Sequence, residues 1–208
     1  MENNENGQNN VISQQGGQPV PNKTTEVKET DKPVVSKKFK QETYTAPSGR
    51  QYLMTFPGMR KALKLQSDAA GSESDMHQMF MDKILEGNFN YPYFNNIDDG
   101  VDKQKSIDVE QDDGSKVTFK VGFKNIKQFD DFRDSSIDSQ RQFSEYLASE
   151  YAIKNLVQND ISINYFDEHK GYTDIMTAIS KISSDIRENS EFMVVMNAVK
   201  DFLNKMFQ

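Results

Sequence analysis

The chain has 208 residues, no cysteine and a formal net charge of −7 at pH 7. Without cysteine, disulfides, thiolate catalysis and cysteine-based zinc sites are excluded. Nucleic-acid binding depends on Lys and Arg neutralising phosphates, so a net-negative chain without a basic run is a poor candidate for it. No apolar run approaches the roughly 18 residues that a membrane-spanning helix needs. We therefore expect a soluble protein with neither a nucleic-acid nor a membrane partner.

Residues 1–41 are predicted to form a disordered polar tail. They are rich in Asn, Gln, Gly, Pro, Thr and Lys, a composition that buries too little apolar surface to offset the entropy of ordering. The opening MENNENGQNN has neither the cationic start nor the apolar core of a secretory signal. We expect a cytoplasmic protein whose folded domain occupies residues 42–208.

The domain is predicted to begin with a β-hairpin followed by two helices. Short alternating apolar runs on either side of Pro47-Ser48-Gly49 predict the hairpin. A basic helix of about three turns follows, and Ser72 with Asp75 fits the cap of a second helix. The apolar stripe of that second helix contains Met76, Met79 and Phe80. The aromatic segment NFNYPYFNN, residues 88–96, comes next.

A second round of the same elements is predicted from about residue 101. Asp112-Asp113-Gly114, flanked by alternating runs, predicts a hairpin because Gly tolerates the positive φ of the turn. An acidic stretch, a long helix through about Val157 and the segment INYFDEHKG, residues 163–171, follow. The order hairpin, short helix, longer helix and Tyr-Phe loop thus occurs twice. It leaves open a division into two similar lobes, residues 42–100 and 101–208.

Two further apolar stripes predict two C-terminal helices, the last of them capped by Ser190. The stripe of the last helix contains Phe192, Val195, Met196, Val199, Phe202, Leu203, Met206 and Phe207. In one interpretation it packs within the domain, as the stripe of most amphipathic helices does. In the other it binds a partner together with the stripe of the second helix, because Met adapts to several surfaces. Two hairpins and about five helices give a mostly helical α+β fold.

No catalytic, cofactor or metal site is predicted. The only histidines, at positions 77 and 169, lie 92 positions apart, whereas a zinc hydrolase motif needs two of them four apart on one helix. Phosphate-binding glycine motifs are absent, and neither Gly100 nor Gly114 fits a calcium-binding loop. The run Asp167-Glu168-His169 is typical of turn hydrogen bonds ahead of a helix. We therefore expect no enzyme, no cofactor and no small-molecule substrate.

Two stretches, residues 42–95 and 150–180, resemble the tail assembly chaperones of long-tailed bacteriophages. The first contains YTAPSGRQYLMTFPGMRKALKLQSDA and MHQMFMDKILEGNFNYPYF, with the family's Ser-Gly turn, aromatic strand, Pro-Gly break, basic helix and Tyr-Phe element. The second, NDISINYFDEHKGYTDIM, is similar to the family's closing segment. The matching positions are Ser48-Gly49, Tyr52, Phe56-Pro57-Gly58, Arg60, Leu63, Met79-Phe80, Ile84-Leu85 and Tyr93-Phe94.

The resemblance implies a non-enzymatic protein of the host bacterial cytoplasm, which binds the phage tape-measure protein and helps the tail-tube protein to polymerise around it. Homo-oligomerisation is left open. Helices 191–207 and 74–86 are then the expected client-binding elements, and deleting residues 191–208 should abolish binding and leave a folded remainder. One alternative is a structural component of the virion, in the tail or the capsid, bound through its extended N-terminal tail. Another is regulatory binding to polymerase or nucleic acid, which would depend steeply on salt.

Overall fold

A computed structural model describes residues 40–208, so the predicted tail of residues 1–41 lies almost wholly outside the described residues. This part of the chain has seven α-helices and two antiparallel two-stranded sheets. The strands are β1 (Gln41–Thr45), β2 (Gln51–Thr55), β3 (Gln104–Glu110) and β4 (Lys116–Gly122). The helices are α1 (Met59–Asp68), α2 (Glu73–Lys83), α3 (Tyr91–Asn95), α4 (Ile126–Ser135), α5 (Glu145–Tyr151), α6 (Tyr172–Asn189) and α7 (Glu191–Met206). The predicted α+β, mostly helical fold is confirmed.

Of these seven helices, α3 was not among the predicted ones, whereas α4 is the short helix that the repeated element order implies for the second half. The five residues of α3 are too few to show helical periodicity, and its start is fixed by Asn90, whose side chain accepts from the amide of Tyr93 at 2.8 Å. The sequence of α4 places acids between its aromatic residues, which suggests that these acids face solvent. One of those acids, Asp130, is instead completely buried. None of the helices in the described residues has the length and apolar content to cross a bilayer.

A hairpin, a ten-residue helix and a second helix occur twice in the same order. The predicted long helix through Val157 is observed as the seven residues of α5, continued by a π-helix over Ala152–Leu156. α1 begins at residue 59 and α4 at residue 126, so 67 positions separate equivalent residues of these helices. α2 and α5 are capped by the hydroxyls of Ser72 and Ser144, so 72 positions separate equivalent residues there. The difference of five residues lies in the segment 136–143, which connects α4 to α5 and is longer than the connection from α1 to α2.

The two halves also repeat their internal contacts. In the first half, the amide of Glu86 donates to the carbonyl of Leu53 at 2.8 Å. In the second half, the amide of Gln158 donates to the carbonyl of Lys120, also at 2.8 Å. The ring contacts between the second strand and the Tyr-Phe element repeat too, in the pairs Tyr52–Phe94 and Phe119–Phe166. The repeated element order read from the sequence is therefore observed, together with equivalent contacts.

Within residues 40–100 of the described chain, α6 and α7 have no counterpart. α6 packs on the hairpin of β3 and β4, whereas α7 packs on the hairpin of β1 and β2. At the start of α7, the carboxylate of Glu191 accepts from the hydroxyl of Tyr52 at 2.5 Å and from Nη1 of Arg50 at 2.9 Å. Burial above all, and also this bond to Glu191, raise the pKa of Tyr52. α7 thus joins the second half of the domain to the first.

Candidate functional site

The predicted partner-binding residues do not form an open surface. Eight of the eleven are at most 8% exposed: Phe192, Val195, Met196, Val199, Phe202, Leu203, Met79 and Phe80. The other three, Met76, Met206 and Phe207, are partly buried and pack against the same core. Of the two interpretations of the C-terminal stripe, packing within the domain is the one observed. A partner could reach the eight buried side chains only if the domain opened, so an accessible binding surface must lie elsewhere.

An open cleft of about 700 Å³ lies where the start of α2 meets segment 136–143, α6 and α7. Pockets of this volume are typical of ligand and peptide-anchoring sites. Its apolar lining comes mainly from Met76, Met79, Phe80, Phe132, Ile137, Phe143 and Leu203. Ile137 and Phe143 are also 40% and 63% exposed, so the apolar surface of the cleft continues onto the outside of the domain.

The two acids that line the cleft, Asp134 and Glu73, both accept hydrogen bonds from other residues of the chain. The carboxylate of Asp134 accepts from the amides of Glu73 and Ser74 at 2.7 and 3.1 Å, and from the hydroxyl of Ser72 at 2.8 Å. It therefore caps the positive end of α2 from a different helix. Glu73 in turn accepts from Nη2 of Arg133 at 2.7 Å.

Three further cations line the cleft without such partners. Arg141, Arg187 and Lys200 are exposed and form no ion pair within residues 40–208. Burial, and to a smaller extent the nearby Arg187, hold the pKa of Arg133 below its usual value, with Glu73 opposing them. Ser183 also lines the cleft, and its buried hydroxyl has no hydrogen-bond partner in the described residues. The cleft thus combines an apolar lining with three cations that form no ion pair within the described residues.

A buried polar cluster joins α2, α3 and α4. Nδ1 of His77 lies 2.8 Å from Oδ2 of Asp130, and the hydroxyl of Tyr91 donates to the same oxygen at 2.8 Å. His77 and Asp130 are 3% and 0% exposed, so solvent and substrate do not reach this cluster. Its role is to hold the two halves together. Sequence reasoning missed it because the three residues are far apart in the chain and form no local motif.

The predicted turn at Asp167-Glu168-His169 is confirmed for its histidine. Nδ1 of His169 lies 2.9 Å from the carbonyl oxygen of Tyr165, and the two rings stack with centroids 4.1 Å apart. Phe166 packs on Phe119 at a centroid distance of 5.7 Å, although Phe166 itself is only partly buried. Within the described residues, no three His, Cys, Asp or Glu side chains are grouped as metal ligands.

The residues of the cleft come from positions 66 to 204 and were not predicted as a site, apart from Met76, Met79, Phe80 and Leu203. The sequence signal for the others is weak, because single cations on different helices look like ordinary surface residues. Comparison of the chain with protein-family models, with curated proteins and with solved structures found no match.

Proposed function

We propose that the protein is a bacteriophage tail assembly chaperone that acts in the host cytoplasm. It binds the tape-measure protein and promotes polymerisation of the tail-tube protein around it, without catalysing a reaction. The observation that carries this proposal is the open cleft, whose apolar lining and three uncommitted cations suit a protein segment better than a reaction centre. The motif resemblance gives that segment its identity.

The residues that carry the resemblance lie in a turn, a break and a helix that follow one another along the chain. Gly49 lies in the turn between β1 and β2 with a φ of 85°, a conformation that glycine adopts without steric cost. Phe56-Pro57-Gly58 separates β2 from α1, and Tyr93-Phe94 lies in α3. A Ser-Gly turn, a strand, a break, a basic helix and a Tyr-Phe element thus follow one another, which supports the proposal.

The chemistry of the cleft indicates what kind of client segment it binds. Burying apolar client side chains on the accessible lining residues Met76, Ile137 and Phe143 supplies affinity at about 25 cal/mol per Å² of apolar surface. Arg187 and Lys200 attract a carboxylate on the same segment and fix its orientation. The exposed Phe143 belongs to the aromatic residue types that are enriched at protein interfaces. We therefore expect an amphipathic tape-measure helix that carries at least one acid.

The test is to measure binding of the purified chain to the tape-measure protein of the same phage, first as wild type and then as the double variant Arg187→Glu, Lys200→Glu. Both side chains are exposed, so the variant should fold. We expect binding to weaken by about tenfold or more, which corresponds to about 1.4 kcal/mol. Lys181→Glu is the matched control, because Lys181 is an exposed cation on α6 outside the cleft.

Three outcomes separate this function from its alternatives. Absence of measurable binding to the tape-measure protein would contradict the chaperone function itself. Equal binding by the wild type and the double variant would mean that the tape-measure protein is the client but that it binds outside the cleft. Purified phage particles provide the remaining distinction: a chaperone should be absent from them, whereas a virion component should be present in fixed amount.

A further inference from the structure

The repeated halves allow α1 and α4, which occupy equivalent places, to be compared directly. The face of α4 that contains Ile126 and Asp130 is covered by α2 and α3 of the first half. Asp130 bonds to His77 and Tyr91, and the amide of Ile126 donates to the side chain of Asn95 at 2.7 Å. Ile126 and Asp130 are both 0% exposed. This face of α4 is therefore a fully occupied docking surface inside the chain.

The same face of α1 is open. Met59 and Leu63, which lie 67 positions before Ile126 and Asp130, are 45% and 53% exposed. A different face of α1, which contains Ala62, packs against the rest of the domain, since Ala62 is 2% exposed. α1 thus presents two apolar side chains at the positions where α4 is covered by the other half.

The second half carries the complementary surface, and this surface is open too. Tyr91, which contacts α4, is 6% exposed, whereas Ile163, 72 positions later, is 40% exposed. The amide of Ser74 bonds to Asp134 of α4, and its equivalent 72 positions later is Tyr146, which is 71% exposed. The surface that covers α4 in the first half therefore recurs in the second half with apolar side chains and without a helix on it.

Opposite charges flank the two open faces. α1 carries the exposed cations Arg60 and Lys61, neither of which forms an ion pair within residues 40–208. The surface around Tyr146 and Ile163 carries the exposed acids Glu145, Asp167 and Glu168. Complementary charges of this kind steer two surfaces together and select their relative orientation.

We propose that the α1 face, Met59 and Leu63, binds the face formed by Tyr146 and Ile163 on a second copy of this chain. The arrangement repeats the one that α4 makes with α2 and α3 inside one chain, with Leu63 and Ile163 in the places of Asp130 and Tyr91. Because the two faces differ, each copy keeps one of them open, and association proceeds head to tail into longer assemblies. This self-association uses residues outside the cleft and does not depend on the proposed client.

Sedimentation velocity of the full chain over a concentration series tests this arrangement. The wild type should form larger species as concentration rises, whereas Leu63→Asp and Ile163→Asp should each weaken self-association by about tenfold or more, because a buried apolar contact gains an unpaired charge. An equal mixture of the two variants should form dimers and nothing larger, since each variant retains one intact face. Leu53→Asp, at a 37% exposed position on β2 outside both faces, should behave as the wild type.

A wild type that stays monomeric at millimolar concentration would overturn the proposal. So would self-association of either variant at the wild-type strength, or the absence of dimers in the mixture. The last result also separates head-to-tail contact from a two-fold contact, because mixing restores only an interface made from two different faces. Circular dichroism of each variant verifies that it is folded.

Cross-linking gives a second, independent measurement, because the chain contains no cysteine. With a short bismaleimide, the double variant Leu63→Cys, Ile163→Cys should give a ladder of dimers, trimers and higher species. Each single-cysteine variant should remain monomeric, since its cysteine faces an unmodified residue of the next copy. A double variant without a ladder, or a single variant that forms dimers as readily, would overturn the arrangement.

Discussion

A few buried polar residues fix the relative positions of helices in this domain. Asp130 is completely buried on α4 and accepts from Tyr91 of α3, while His77 of α2 lies within hydrogen-bond distance of the same carboxylate. A buried carboxylate is costly without partners, so its bonds fix the relative positions of the three helices. The cluster therefore acts as a structural joint between the two halves.

Tyr91 makes this joint sensitive to alkaline pH. Burial, followed by the charge of Asp130, raises its pKa above the ordinary tyrosine value of about 10. In the folded state, Tyr91 therefore keeps its proton at a pH where the unfolded chain releases it. The contribution of Tyr91 to the free energy of unfolding is complete below about pH 10 and is lost as pH rises further. Tyr91→Phe should reduce the alkaline slope of the unfolding free energy by about 1.4 kcal/mol per pH unit.

Urea unfolding at a series of pH values measures that slope. At neutral pH, Tyr91→Phe should also cost about 1–3 kcal/mol, because the buried Asp130 loses a hydrogen bond. Tyr146→Phe is the matched control, since Tyr146 is 71% exposed. An alkaline slope that is the same in Tyr91→Phe and in the wild type would contradict this role for Tyr91.

At the scale of elements, the helices support one another at their ends. α2 begins at its own cap, Ser72, and also receives the carboxylate of Asp134 from α4. The amides of the first turn of a helix have no partners within the helix, and a negative charge there also favours the helix dipole. The start of α2, and with it one wall of the cleft, therefore depends on the position of α4.

Asp134→Ala should lower the unfolding free energy by about 1–2 kcal/mol, because two amides and a hydroxyl lose their acceptor. Asp134→Asn should cost less, since an amide oxygen still accepts but carries no charge. Thermal or urea unfolding followed by circular dichroism provides the measurement. Asp201→Ala, at an exposed position of α7, is the control. A loss in the control as large as in Asp134→Ala would rule out the cap as the cause.

At the scale of the whole molecule, the structure corrects the expectation that residues 191–208 can be removed from a folded remainder. Six side chains of α7 from its predicted stripe are at most 2% exposed. Each contributes about 1.5–3 kcal/mol by burial, and their sum is comparable to the roughly 5–15 kcal/mol that stabilises a typical domain. The truncated chain should therefore lose cooperative thermal unfolding, which calorimetry measures. A sharp transition in the truncated chain would show that α7 is dispensable.

The two proposed binding surfaces are separate on the folded domain. The cleft is lined by the start of α2, segment 136–143, α6 and α7, whereas Met59, Leu63, Tyr146 and Ile163 do not line it. Variants of Arg187 and Lys200 should therefore change client binding without changing self-association, and variants of Leu63 should do the reverse. Under the two proposals taken together, copies joined head to tail would present several clefts along the length of one client.

Local sequence determined the elements whose physical cause is local. Gly49 and Gly114 marked the two hairpin turns because their positive φ angles favour glycine, and Ser72 and Ser190 marked helix starts through their caps. The 3.6-residue period predicted α7, but not what its stripe contacts. Tertiary structure alone decided that this stripe forms core, that Asp130 is buried, and that cations from separate segments share one cleft. These outcomes depend on which elements pack together, and packing is decided by contacts between residues far apart in the chain.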